Sequence, residues 1–263
     1  MKRMILAAIF AVMAQSAFAG MTYKVESVSS GMREGTMSGT VEVEGKNVRF
    51  NIAQGDGIVF KDSSYLIATD GGKKMSIVDP AEKTYFDIGI DQLTGGAGML
   101  GGMMKMRISN PQVSVRDLGA GDTIEGYATK KKAIDISYDM TIDMMGQTMA
   151  MSMSTSTQSW ITDQIPTESA TFLQTGELHT GLDDVDKLIA AQAKAFTGFP
   201  LKQITTIHMT QNGSKMELTT TTNVSGIEKK SIAASEFVVP AAFTKTDSPM
   251  EKMMKAMGGG SKQ

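Results

Sequence analysis

Residues 134–144 read Ile-Asp-Ile-Ser-Tyr-Asp-Met-Thr-Ile-Asp-Met. Successive side chains of an extended strand point to opposite sides, so Ile134, Ile136, Tyr138, Met140, Ile142 and Met144 share one face, with Asp135, Ser137, Asp139, Thr141 and Asp143 on the other. A strand with one buried and one wetted face has this pattern. A two-residue loop at Gly146-Gln147 predicts a return strand on which Met149 opposes Met144, Met151 opposes Ile142 and Met153 opposes Met140. Four methionines then form two cross-strand pairs.

The same alternation extends in both directions from this stretch. Upstream, Met37, Gly39, Val41 and Val43 lie on one parity, and after the turn Glu44-Gly45-Lys46-Asn47 the apolar face resumes with Val48, Phe50 and Ile52, which predicts a hairpin. Further strands are expected around Tyr65–Ala68, Met75–Val78 and Thr84–Ile88, separated by the turn residues Asp70-Gly71-Gly72 and Asp79-Pro80, with a meander as the simplest connection. Downstream, Asn212-Gly213 suits a type I′ turn. It sets Met209 opposite Met216, Ile207 opposite Leu218, and His208 opposite Glu217, the last pair facing water.

Helix is scarce. The clearest candidate runs from about Leu182 to Phe196, with Thr180 as N-cap, Asp183 and Asp184 in the positive first turn, and Gly198 and Pro200 as stops. Its stripe of Leu182, Val185, Leu188, Ile189 and Phe196 needs a partner, most economically the concave side of the sheet. A second candidate, Asp91–Arg107, carries Met99, Met103 and Met106 at helical spacing. Its five glycines between positions 95 and 102 each weaken a helix by about 1 kcal/mol, so a flap is expected there. Met250, Met253, Met254 and Met257 predict a short amphipathic turn before a loose end. The fold class is therefore mainly β (α+β), a curved antiparallel sheet covered by one or two helices.

The ends of the chain bear on location. Lys2 and Arg3, an apolar run from Met4 to Met13 and the Ala17-Phe18-Ala19 site predict a cleaved export leader over residues 1–19, leaving one β domain over 20–247 and a Met-rich tail over 248–263. Removal of Lys2 and Arg3 from the 26 basic side chains leaves 24 against 28 acidic ones, which argues against nucleic-acid binding. With no second long apolar run, the processed chain is expected to be soluble rather than membrane-spanning. Cysteine is absent, which removes disulfides, thiol catalysis and the acylated cysteine of an anchored lipoprotein.

Twenty-three methionines, three of them in the leader, are the compositional anomaly. They can fill irregular gaps in a core, or line a deformable apolar cavity that reshapes around acyl chains or other oily partners. They can also hold Cu(I) or Ag(I), with Met149, Met151 and Met153 presenting three sulfurs on one strand face. Catalytic signals are missing: there are two histidines, His179 and His208, no His-Glu-x-x-His and no Gly-x-Ser-x-Gly. Gly96-Ala97-Gly98-Met99-Leu100-Gly101 fits a dinucleotide-binding pattern but lacks the βαβ context, so no cofactor is expected.

Gly126-Tyr127, the long hairpin leading to Trp160-Ile161-Thr162-Asp163, the helix ending at Gly198-Phe199-Pro200-Leu201 and the closing Phe237-Val238-Val239-Pro240 together resemble an uncharacterised family of exported bacterial proteins with a LolA/LolB-like half-barrel. The resemblance spans about Met21 to Phe243. It implies a curved sheet wrapped around helices with an apolar cavity between them, as in periplasmic carriers of lipoprotein acyl chains. Without an N-terminal cysteine, the chain resembles a soluble shuttle rather than an anchored acceptor. The expected function is a periplasmic, non-enzymatic binding or carrier protein for a lipid, acylated protein or other apolar ligand. Tyr138, Met140, Ile142, Met144, Met149, Met151, Met153 and Trp160 are its expected lining, with Met99, Met103 and Met106 on the flap. Soft-metal handling and a ligand-free structural role in the envelope are the alternatives.

Overall fold

The computed structural model describes residues 20–55, 57, 60–88, 104–144, 147–166, 187–188, 190, 194, 197–249 and 251–252, with the side chains of Met104–Met106 and Met144 excepted. Their strands are β1 (Met21–Gly31), β2 (Gly35–Glu44), β3 (Asn47–Gln54), β4 (Tyr65–Thr69), β5 (Lys74–Asp79), β6 (Thr84–Ile88), β7 (Met104–Ala120), β8 (Lys130–Met144), β9 (Gln147–Thr162), β10 (Phe199–Gln211), β11 (Ser214–Lys229) and β12 (Thr244–Lys245). All belong to one open sheet in the order β12-β6-β5-β4-β3-β2-β1-β11-β10-β9-β8-β7. Every neighbouring pair is antiparallel except β12 with β6.

The meander from β2 to β6 and the hairpin of β10 with β11 follow the sequence pattern. Val43 pairs with Val48 and Val41 with Phe50 across the Gly45-Lys46 turn. Asn212 and Gly213 take φ values of 50° and 80°, both positive as a type I′ turn requires. Met209 opposes Met216, and His208 opposes Glu217.

Two expectations are corrected. In β8–β9, Ile142 opposes Met149, Met140 opposes Met151 and Tyr138 opposes Met153, a register two residues away from the expected one. The shift is even, so every side chain keeps its face. It also brings a hydroxyl opposite each aspartate: Thr148 donates to Asp143 at 2.5 Å, Ser152 to Asp139 at 2.7 Å and Ser156 to Asp135 at 2.7 Å. The expected register would have set Asp143 against Ala150 and Asp135 against Gln158. Hydrogen bonds to ionised groups are the stronger ones, and they favour the observed alignment.

The second correction concerns the end of the expected Asp91–Arg107 helix: Met104, Lys105, Met106 and Arg107 lie in the 17-residue edge strand β7. Met104-Lys105-Met106-Arg107-Ile108 alternates as well as it recurs at helical spacing, and pairing with β8 decides between the two readings.

Of the expected Leu182–Phe196 helix, Lys187, Leu188, Ala190 and Lys194 are helical and the other residues lie outside the described set. Pro249, Glu251 and Lys252 are helical in the tail. His179, the glycine-rich stretch 95–102, and Met250, Met253, Met254 and Met257 also lie outside it.

One face of the sheet carries the core. Tyr23, Val41, Val43, Val48, Phe50, Ile77, Phe199 and Leu201 are all at most 2% exposed there. A second cluster on that face joins Ile134, Ile136 and Ile161 to Leu188. On the opposite face, residues 230–243 cross β3–β6 as a strap. Arg49 bonds Glu236 at 2.8 Å and stacks 4.0 Å from the Tyr65 ring, and Phe237 and Ile232 pack with Ile67 and Val78. The strap ends as β12, whose Lys245 pairs with Asp87 at 2.7 Å.

Candidate functional site

The core face does not stop where burial stops. Beyond the buried cluster of Ile134 and Ile136, the distal halves of β8–β11 continue the same parity with Tyr138, Met140, Ile142, Met151, Met153, Ile207, Met209, Met216 and Leu218, all half-buried, and with Met149, 38% exposed. The registers stack these residues in cross-strand rows. One row runs Tyr138, Met153, Met209, Met216; the next runs Ile108, Met140, Met151, Gln211. Directly opposed residues on one face have Cβ atoms about 4.5–5.5 Å apart, so each row is a contact chain.

This area bears no charge among its described residues. The carboxylates of β8 face the other way: Asp135 binds Arg116 at 2.6 Å and Asp139 accepts from Asn110 at 2.8 Å. His208 meets Glu217 at 3.2 Å, both more than half exposed, on that same outer face. Hydrogen bonding from Ser156 and the Arg116 guanidinium hold the Asp135 carboxyl below its ordinary value, and Asn110 and Ser152 do so for Asp139. On the inner face, burial pushes the Tyr138 hydroxyl up, and it donates to the Met153 sulfur at 3.5 Å. The Gln211 amide lies 3.6 Å from the Met149 sulfur.

Between the oily distal area and the main core lies a polar band. Thr157 bonds Thr205 at 3.2 Å, Ser29 bonds Thr220 at 2.9 Å and Ser27 bonds Thr222 at 2.8 Å. Ser159, fully buried in this band, has no hydrogen-bond partner for its hydroxyl among the described residues.

The structure brings most of the expected lining together. Tyr138, Met140, Ile142, Met149, Met151 and Met153 share the distal area. The backbone register pairs Met106 with Ile142 and Met104 with Met144, placing Met106 and Met144 on strands that border it. Trp160 stands apart. Its even parity on β9 sends it to the opposite face, where Lys131 and Lys202 lie 4.4 and 5.0 Å from its ring. Met99 and Met103 lie outside the described residues.

Ile108, Ile207, Met209, Met216 and Leu218 belong to the same area, and the sequence reading did not include them. The β10–β11 hairpin was legible from Asn212-Gly213, but its position beside β9 depends on a pairing across residues 163–198, which local pattern does not carry.

A separate cleft of about 80 Å³ lies where β5 and β6 meet the tail, lined among others by Lys61, Ile77, Asp79, Phe86, Thr246 and Pro249. It is far smaller than the ~300–1,000 Å³ of ordinary ligand sites. Lys61 reaches Asp79 at 3.0 Å and Glu82 at 3.1 Å beside it, a structural use of those charges.

Among solved structures, the chain is similar to the LolA superfamily protein NE2245 from Nitrosomonas europaea, at 10% identity and a TM-score of 0.35, over 84% of this chain and 90% of that one. It is also similar to PNGF-II, at 12% identity and a TM-score of 0.33, over 89% of this chain and 32% of that one. No curated protein matches it. The family model described as "Domain of unknown function (DUF4412)" matches residues 25–243, and the chain belongs to that family.

Proposed function

We propose that the distal area of the core face binds an apolar ligand, and that the protein is an exported, non-enzymatic carrier of a lipid, an acylated protein or another oily molecule. The observation that carries this reading is the continuation of the core parity into half-buried Met140, Ile142, Met151, Met153, Met209 and Met216 and exposed Met149, without a charged residue among them. Contiguous apolar area left accessible beside a finished core is where partners bind. Methionine is suited to this, because its unbranched thioether repacks around varied shapes. Each methylene of an acyl chain taken from water there contributes roughly 0.8 kcal/mol, so tail length rather than a head group sets affinity.

In this reading the sheet curls around helices. Leu188, helical and packed with Ile134, Ile136 and Ile161, is the described foothold of that cover. The leader over residues 1–19 directs the chain to the periplasm, where the processed protein meets membranes or lipoproteins transiently.

Native mass spectrometry of the protein purified from its own host tests the reading. Lipid-mass adducts that are lost when Met151 is replaced by Asp support it. Recovery of bare protein alone, from material never exposed to detergent, points instead to a structural envelope role.

A further inference from the structure

Three methionines on three adjacent strands fall in one row. Met153 on β9 opposes Met209 on β10, and Met209 opposes Met216 on β11. All three are half-buried on the core face. We propose that Met153, Met209 and Met216 form a thioether site for a soft monovalent metal ion, Cu(I) or Ag(I), with Met151 in the adjoining row as a fourth donor.

The geometry supports convergence. Strands lie about 4.8 Å apart, so the outer two backbones of the row are ~10 Å apart. Each methionine has three rotatable side-chain bonds with which to lean its sulfur toward the central one. Met153 uses one sulfur lone pair to accept from the Tyr138 hydroxyl at 3.5 Å, which leaves the other for a metal.

The chemistry selects the ion. Thioethers are soft, uncharged donors, and soft donors select Cu(I) over the hard divalent ions. The neighbouring rows place Met140, Met151 and Gln211 on one side and Ile136, Thr155, Ile207 and Leu218 on the other, so among the described residues these rows offer no anionic donor to neutralise a divalent charge. Asp139, His208 and Glu217 point to the opposite face. Among the described residues, no group of three or more histidines and carboxylates offers a competing site.

The site differs from a simple reading of Met149-x-Met151-x-Met153, because it is built across strands that are distant in sequence. It also stands apart from the apolar-ligand proposal, since leucine conserves the oily volume while removing the donor.

The test is an anaerobic competition between the processed protein and bathocuproine disulfonate for Cu(I), read by the colour of the chelate, on the wild type, the triple variant Met153→Leu/Met209→Leu/Met216→Leu and the control Met37→Leu/Met75→Leu. The expected result is one Cu(I) per wild-type chain, unchanged in the control. Loss of outer-shell partners alone weakens metal sites 10–100-fold, so the triple variant should bind at least ~100-fold more weakly. An unchanged far-UV circular dichroism spectrum and thermal melt of the triple variant show that it is folded, and its binding of a fluorescent fatty acid reports separately on the carrier reading. Failure of the wild type to withdraw Cu(I) from the chelator, or equal withdrawal by the triple variant, overturns the metal site.

Discussion

At the scale of single residues, close packing and paired charge make two sharp demands. Gly39 sits on extended backbone in β2, where an added Cβ would come within 2.2 Å of the Asn51 carbonyl oxygen and 2.6 Å of the Phe50 ring. Neither neighbour can yield easily, one being backbone and the other a fully buried ring. Gly39→Ala is therefore expected to destabilise the fold by roughly 1–3 kcal/mol, read as a lower urea midpoint at an unchanged slope.

The paired charges are Asp135 and Asp139, whose carboxyls are held below the ordinary 3.8 by hydroxyl and amide donors and, for Asp135, by Arg116. A depressed native value means that the unfolded chain takes up protons first as the pH falls. Their stabilisation is thus complete above the unfolded value. It declines as the pH drops past 3.8 and is gone below the native values. Asp135→Asn/Asp139→Asn is expected to flatten the fall of the melting temperature in that acid window and to leave its shape near neutrality unaltered. An identical acid slope in the double variant would remove these two groups from the account.

At the scale of elements, the sheet interior and its edge follow different rules although they share a register. Val115 on the edge strand β7 is paired with Ile134 on β8, yet Val115 is 52% exposed and Ile134 only 1%. Val115→Lys should change stability by no more than about 0.5 kcal/mol, since surface replacements seldom do more. Ile134→Lys buries an unpaired charge in the cluster with Ile161 and Leu188 and should prevent folding, as followed by circular dichroism and soluble yield.

The same scale shows what the sequence could and could not tell. Strict alternation exposed β2, β3, β8 and β9, and Asn212-Gly213 set the β10–β11 register without error. The β8–β9 register lies two residues from the Met-to-Met match, because aspartate-to-hydroxyl pairing on the wetted face favours the observed alignment. For β7, methionines at positions 99, 103 and 106 have a helical period, while Met104, Met106 and Ile108 have a strand period, and only pairing with β8 separates the two.

At the scale of the whole molecule, order in sequence and order in space part company. β1 lies between β2 and β11, and β7 closes the far edge although it follows β6 in the chain. These long-range choices decide which methionines meet. That is why Tyr138, Met140, Ile142, Met149, Met151 and Met153 were legible as a set and Met209 and Met216 were not; Trp160, of the other parity on β9, lies on the opposite face.

The large-scale consequence is a core face that is solid around Tyr23, Val41 and Phe50, crosses a hydroxyl band at Thr157, Ser159 and Thr205, and ends in pliable thioether surface. Such a gradient fits a sheet with one end committed to stability and the other to an oily partner.

The most direct measurement of that claim is titration of residues 20–263 with a fluorescent fatty acid, comparing the wild type with Met140→Asp/Met151→Asp and with Val28→Asp, an exposed site elsewhere. Saturable binding with one defined stoichiometry, lost in the methionine variant and kept in the Val28 variant, is the predicted result. No saturable binding by the wild type, or equal binding by all three proteins, would contradict it.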